Sequence, residues 1–104
     1  IQAQWARLWL GDLYVDLGDH GSARRQWSAS SQGEALPAQL MRHLLHGGKP
    51  LTVKEGNGAV IEYINARATL LRGFDQAYID RLRNVVRLGP SSTWPVPLAK
   101  RLLE

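Results

Sequence analysis

Residues 10–19 read Leu10-Gly11-Asp12-Leu13-Tyr14-Val15-Asp16-Leu17-Gly18-Asp19. Apolar residues before and within this stretch are too frequent for one narrow stripe, which predicts a helix that is apolar on more than one side. Gly11 lies inside that helix, where glycine costs about 1 kcal/mol relative to alanine, so we expect another backbone to pass close by. Gly18 is placed to end the helix. Either Asp19 or Ser22 can cap a second helix, whose inward residues would be Ala23 and Trp27.

This stretch resembles a tetratricopeptide repeat, a 34-residue helical hairpin. The residues that match the family in type and spacing are Leu10-Gly11, Tyr14, Gly18-Asp19, Ala23 and Trp27. His20, Ser30 and the late Pro37 depart from the family pattern. The resemblance covers about residues 5–37 and implies a helical hairpin whose first helix faces a partner-binding groove. An unrelated helical hairpin that needs small residues at its crossing is the alternative.

Length and composition are typical of one globular domain over residues 1–104, with 44% apolar and 21% charged residues. The initial Ile suggests an excised fragment. No apolar run approaches 18 residues, which predicts that nothing spans a membrane. The absence of cysteine excludes disulfides and thiolate chemistry. Cytoplasm and periplasm are both compatible with this, and the oligomeric state stays open.

Periodicity and helix-breaking residues predict an all-α fold of five or six helices, two pairs of them forming hairpins. The predicted order is a first hairpin over 3–31 with helices at 3–17 and 22–31, a central helix over 37–46, a loop over 47–58, a second hairpin over 59–88 with helices at 59–72 and 76–88, and a tail over 89–104. This tandem of hairpins would make an irregular helical repeat, because no second motif begins 34 residues after the first.

Residues 51–63 are ambiguous, because Asn57-Gly58 between two β-prone runs is a hairpin signal. We favour a helix from about residue 59, with at most a short extended piece at 51–54, since an isolated two-stranded hairpin is marginal in water. Arg67 is the one residue that the helical pattern puts on the apolar side. Gly73-Phe74 predicts a turn, and Asp75 is the expected N-cap of the next helix.

The tail contains Trp94-Pro95-Val96-Pro97, which has a polyproline-like outline. It could be a ligand strip for another domain or a tail packed over this one, and we favour the packed tail because a Trp can seal a small core. The prolines predict that Pro90 to Pro97 is not helical. A last short helix is expected from Leu98.

The sequence offers little that could carry chemistry. His43 and His46 share a helix face and His20 lies elsewhere, but no nearby carboxylate or cysteine completes a metal site. We read both helix histidines as exposed. Glu55 and Glu62 could pair as acid and base, yet single carboxylates near a loop are usually solvated. Ser91-Ser92-Thr93 has no base placed by a recognised motif. We therefore predict no metal, no cofactor and no enzymatic activity.

The net charge of +4 comes mostly from arginines that are spread along the chain. They cluster loosely at Arg24-Arg25, Arg67, Arg72, Arg81, Arg83, Arg87 and Lys100-Arg101. Such spacing is more typical of a solvated surface than of a phosphate footprint. We expect no specific nucleic-acid binding, although the arginines of the second hairpin make it the runner-up function.

The predicted partner surface lies on the first helix. Asp12 and Asp16 are four residues apart, so they share a helix side with Trp5 and Trp9. The family resemblance implies a groove lined by Trp5, Leu8, Asp12 and Asp16. An aromatic, acidic groove would suit a basic or amphipathic protein or peptide segment. The alternative is that the tryptophans are core and the two Asp merely exposed.

Protein–protein interaction within a larger assembly is therefore the leading function. A third class is a non-catalytic helical segment of a larger envelope or glycan-acting enzyme, in which tryptophan faces would be available to sugars.

Overall fold

The computed structural model describes residues 2–54, 56–90 and 94–104. Within them the chain is all-α, as predicted, and no residue is in a strand. The helices are α1 (Gln2–Asp16), α2 (His20–Ser30), α3 (Leu36–His46), α4 (Gly58–Leu71), α5 (Asp75–Leu88) and α6 (Val96–Leu103). None of these helices has both the length and the apolarity needed to cross a bilayer. The helices group into two compact units, residues 1–46 and 47–104.

In the first unit, α1 packs against α2 and α3, and α2 also packs against α3. Gly18 ends α1 with a φ of 78°, a left-handed conformation that glycine adopts without strain. Asp19 caps α2, because its side chain accepts a 3.0 Å hydrogen bond from the Ser22 backbone N–H. The buried apolar residues of this unit are Leu8, Val15, Ala23, Trp27, Ala38, Leu40, Met41, Leu44 and Leu45.

Gly11 lies where α1 packs against the Trp27 side chain of α2. A Cβ added at Gly11 would fall on the indole of Trp27, and Trp27 Nε1 donates a 3.2 Å hydrogen bond to the Leu8 carbonyl. The neighbour is therefore a side chain, not the backbone that the sequence led us to expect. Trp27 is fully buried, and the missing side chain at position 11 leaves room for its ring.

In the second unit, α5 packs against both α4 and α6. Residues 61–68 of α4 are all buried, including Glu62, Asn65 and Arg67. The ambiguous segment is resolved in favour of the helix, because α4 begins at Gly58 and residues 51–54 have no regular secondary structure. The Asn65 side chain instead holds Leu51: Asn65 Oδ1 accepts from the Leu51 N–H at 2.8 Å, and Asn65 Nδ2 donates to the Leu51 carbonyl at 3.0 Å.

Two predicted boundaries in this unit are wrong. Asp75 is the first residue of α5 and Phe74 occupies the N-cap position, without a side-chain capping bond. A carboxylate in the first turn is still favourable, because it faces the positive end of the helix dipole. Residues 96 and 97 are helical, since α6 begins at Val96 and a proline in the first turn sacrifices no intrahelical hydrogen bond.

The tail is packed, as favoured, and does not form an extended polyproline strip. Pro95, Val96 and Ala99 are buried. The Trp94 ring lies 5.9 Å from the Tyr63 ring, centroid to centroid, although 43% of Trp94 stays exposed. Ser91-Ser92-Thr93 and Glu55 lie outside the described residues.

Candidate interaction surface

Three leucines stand out on the outer face of α1. Leu10, Leu13 and Leu17 are 40%, 54% and 71% exposed, and they fall within about 60° of one another around the helix. We call these three residues the leucine stripe. Ala3 and Ala6 continue the same line towards the start of the helix and are also exposed. The spacing of three and four residues is that of a helix–helix contact.

One edge of the leucine stripe is aromatic and acidic. The rings of Trp5 and Trp9 stack with centroids 5.9 Å apart and planes 19° from parallel, and both residues are half-buried. Asp16 is exposed beside them. These three residues are on the side of α1 where the sequence placed the partner groove.

The other two predicted groove residues are not accessible. Leu8 is fully buried, and Asp12 is 5% exposed. Leu8 belongs to the side of α1 that also carries Gly11 and Val15, both buried. A partner could therefore touch Trp5 and Asp16, but not Leu8 or Asp12 in this conformation. The expectation that both Asp are exposed is wrong for Asp12.

The leucine stripe was missed because α1 is apolar on several sides, so its hydrophobic pattern does not identify the inward one. The position of Gly11 could have identified the inward side of α1. A glycine that accommodates the second helix must point inward, and residues 13 and 17 are then on roughly the opposite side of a 3.6-residue helix. The position of Gly11 thus predicts an outward leucine face, an inference that the groove resemblance obscured.

Two arginines of the second unit, Arg67 and Arg81, are engaged by other side chains of that unit. Arg67 is buried, lies 5.8 Å over the Tyr63 ring and donates a 3.2 Å hydrogen bond to the Tyr78 hydroxyl. Arg81 donates to Glu62 at 2.9 Å in an ion pair. Arg83 is exposed and only weakly paired with Asp80, at 3.8 Å. Arg67 and Arg81, two of the arginines that the sequence suggested for phosphate binding, are therefore engaged within the unit.

A shallow pocket of about 400 Å³ in the second unit is lined by Val53, Glu62, Asn84, Arg87 and Leu88. Its carboxylate is already engaged, because Glu62 Oε1 accepts from Asn65 and Arg81 and Oε2 accepts from Asn84. Arg87 in turn donates to Asn84 Oδ1. This network gives Glu62 a structural role, and the described lining offers no nucleophile beside a base.

The histidines differ from expectation in one respect. His43 is buried and His46 is exposed, whereas the sequence predicted that both are exposed. Among residues 2–54, 56–90 and 94–104 no three His, Cys, Asp or Glu side chains come together as a metal site.

Comparison with known proteins gives no further guidance. No protein-family model matches this sequence, and no match is found among curated proteins or solved structures. The resemblance to tetratricopeptide repeats stays a prediction that rests on the residues of the first hairpin.

Proposed function

We propose that this chain is a protein–protein interaction module and that the leucine stripe of α1 is its contact surface. The observation that carries the proposal is the exposure of three leucines on one helix side. Contiguous exposed apolar patches mark interaction sites on soluble proteins. The proposed partner surface lies on a different side of α1 from the predicted groove, and Trp5 and Asp16 of that groove lie at its edge.

The energetics favour a moderate rather than a tight contact. The exposed fractions of Leu10, Leu13 and Leu17 together amount to between one and two whole leucine side chains. Covering them would contribute at most ~3–5 kcal/mol, and association itself costs at least about 4 kcal/mol. The stacked Trp5 and Trp9 at the edge would have to contribute, and aromatic residues are frequent interface hot spots.

A partner helix or amphipathic peptide fits this surface best, because anchors spaced three, four and seven residues apart are characteristic of helix recognition. Asp16 adds a negative charge at the edge, which favours a segment with a basic flank. An Asp16→Lys variant should mainly slow association with such a partner, since charges at the rim affect the association rate more than the final affinity.

The test is to replace Leu13 and Leu17 by Gln and compare the proteins captured by parent and variant domains. Leu88→Gln is the matched control, because Leu88 is 48% exposed but belongs to the second unit. We expect one or more partners to be lost with the Leu13/Leu17 variant and retained with Leu88→Gln. Surface substitutions of this kind should shift the free energy of unfolding by only about 0.5 kcal/mol each.

Equal capture by all three proteins would contradict the assignment of this surface. Circular dichroism on each variant checks that the fold is intact.

A further inference from the structure

We propose that the pocket between α4 and α5 binds a small α-hydroxy carboxylic acid with a medium-sized apolar side chain. The pocket has a volume of about 400 Å³ and lies within the second unit, lined by Val53, Glu62, Asn84, Arg87 and Leu88. That volume is at the lower end of the range for small-molecule sites. The proposal goes beyond the interaction module, because the pocket shares no residue with the leucine stripe.

Two exposed apolar residues set the apolar part of the ligand. Val53 is 40% exposed and Leu88 is 48% exposed. A Cβ added at Gly58 would lie 3.1 Å from Val53 Cγ1 and 4.0 Å from Leu88 Cδ2. The two methyl groups therefore flank a glycine, which has no side chain to cover them. One branched ligand side chain placed beside Gly58 can touch both at van der Waals distance.

Arg87 supplies the charge that a carboxylate needs. Its guanidinium donates to the neutral Asn84 side chain, and among the described residues no carboxylate forms an ion pair with it. Arg87 is exposed and keeps further N–H donors, which suit a charge-assisted bond to a carboxylate. The carboxylate of the described lining, Glu62, is already paired with Arg81 at 2.9 Å. The positive charge of Arg87 is thus uncompensated within the described lining.

The charge of the second unit as a whole also favours an anion. Residues 1–46 contain four basic and four acidic residues, whereas residues 47–104 contain nine basic and five acidic ones. The entire net charge of +4 therefore belongs to the second unit. A field of this sign attracts an anion and raises its rate of association.

Glu62 retains one place for a hydrogen-bond donor. An ionised carboxylate has about four acceptor positions, two on each oxygen. Glu62 Oε1 accepts from Asn65 and Arg81, and Oε2 accepts from Asn84. Glu62 lines the pocket although only 4% of the residue is exposed. A donor on the ligand can therefore fill the fourth position and leave the three existing hydrogen bonds in place.

An α-hydroxyl matches this position in reach and in charge. Asn84 bridges the two charged groups, since its Nδ2 donates to Glu62 Oε2 at 3.1 Å and its Oδ1 accepts from Arg87. Hydrogen bonds of ordinary length and the width of an amide put Glu62 and Arg87 within about 9 Å of each other. An α-hydroxy acid with a hydrogen bond at each end spans up to about the same distance. An α-ammonium would reach equally far, but it would add a cation beside Arg81 and Arg87, so the hydroxyl is favoured.

The test is a titration of the full 104-residue chain with 2-hydroxy-4-methylpentanoate, followed through the backbone amide shifts in NMR spectra. We expect a dissociation constant on the order of 1 mM, as a ligand of about nine non-hydrogen atoms allows. The shifts should be concentrated around the lining residues. Removing the hydroxyl, replacing it by an ammonium as in free leucine, or converting the carboxylate to an amide should each weaken binding about tenfold.

Two arginine variants separate the pocket from the general charge of the unit. Arg87→Gln should weaken binding of the acid by at least about tenfold and abolish its advantage over the amide. Arg83→Gln is the matched control, since Arg83 is an exposed arginine of the same helix and does not line the pocket. It removes the same charge from the unit, but it should change the affinity by no more than about twofold.

The inference would be overturned by an absence of shifts around the pocket at ~20 mM acid, about twenty times the expected dissociation constant. Equal losses with Arg87→Gln and Arg83→Gln, or an amide that binds as tightly as the acid, would also overturn it. Tighter binding of free leucine would overturn the choice of the hydroxyl, and tighter binding of acetyl-glycyl-leucine would replace the free acid by a chain terminus. Both variants leave the leucine stripe intact, so capture with the Leu13/Leu17 variant decides the proposed function separately.

Discussion

Helices α1 and α4 distribute polar and apolar residues in opposite ways. α1 leaves Leu10, Leu13 and Leu17 exposed, whereas α4 buries Glu62, Asn65 and Arg67. In α4 each buried polar group has partners, and none of the described buried side-chain nitrogen or oxygen atoms lacks a hydrogen bond. A buried polar group is tolerable once it is paired, while an exposed leucine costs the isolated fold little. The difference teaches that α4 is specified from within its unit, and that the outer face of α1 is not required by the fold.

The largest effect should come from breaking the α4 network. Glu62→Ala would leave the donors of Arg81, Asn65 and Asn84 without their acceptor. We expect a loss of about 3 kcal/mol in the free energy of unfolding, the lower end for breaking a buried ion pair, because 26% of the Arg81 side chain is exposed. Denaturation by urea measures it.

Asp80→Ala is the matched control for this prediction, since it removes the carboxylate of the exposed Arg83–Asp80 pair. It should cost no more than about 0.5 kcal/mol. Equal losses for the two variants would show that the buried network does not specify the unit as argued.

An intermediate effect is expected on the inward side of α1. Gly11→Ala improves helix propensity by about 1 kcal/mol, but its methyl group would overlap the buried Trp27 indole. We expect overpacking to prevail, with a net loss of about 1–3 kcal/mol and a weakened Trp27 hydrogen bond to Leu8. Thermal melting and tryptophan fluorescence report the two changes.

Gly21→Ala provides the control in α2, where an added Cβ would meet its neighbours only at ordinary distances of 3.6 Å and more. It should leave the melting temperature unchanged or raise it. If Gly11→Ala also raises the melting temperature, the inward side of α1 is as tolerant as the outer one and the contrast fails.

The sequence predicted the helices well where local signals set their ends. Gly18, Gly47-Gly48 and Gly73 follow helices that end within two residues of the predicted positions. It failed where tertiary partners override polarity. Arg67 looked misplaced on the apolar side because periodicity cannot reveal its two partners, the Tyr63 ring and the Tyr78 hydroxyl. Asp12 and His43 were expected to be exposed for the same reason, and the leucine stripe was overlooked because α1 has no single polar side.

The smallest effect concerns an exposed carboxylate, in contrast to the buried Glu62. Hydrogen bonds from the Ser22 side chain and backbone hold the pKa of Asp19 below its ordinary value of 3.8. Ionised Asp19 therefore stabilises the fold above about pH 4, and this contribution is lost as the pH falls through the lower, folded-state pKa.

Asp19→Asn should keep the cap but lose this titration, because Asn is also a good N-cap. The melting temperatures of parent and variant, measured from pH 6 to pH 2, should differ above pH 4, and the difference should shrink as the pH falls. A constant difference over the whole range would show that the carboxylate charge at Asp19 contributes nothing.

The two hydrogen bonds between the Asn65 side chain and the Leu51 main chain determine which substitutions this segment tolerates. One amide side chain contacts both the N–H and the carbonyl of Leu51, as a neighbouring strand would, so it recognises main chain and is indifferent to the side chain there. Many residues could replace Leu51 without changing the path of the segment, but proline could not, since it lacks the N–H. Substitution of the buried Asn65 would, in contrast, remove both hydrogen bonds that hold the segment before α4 in place. The sequence of this loop can therefore vary while its path stays the same, because the residue that fixes the path, Asn65, belongs to α4 and not to the loop.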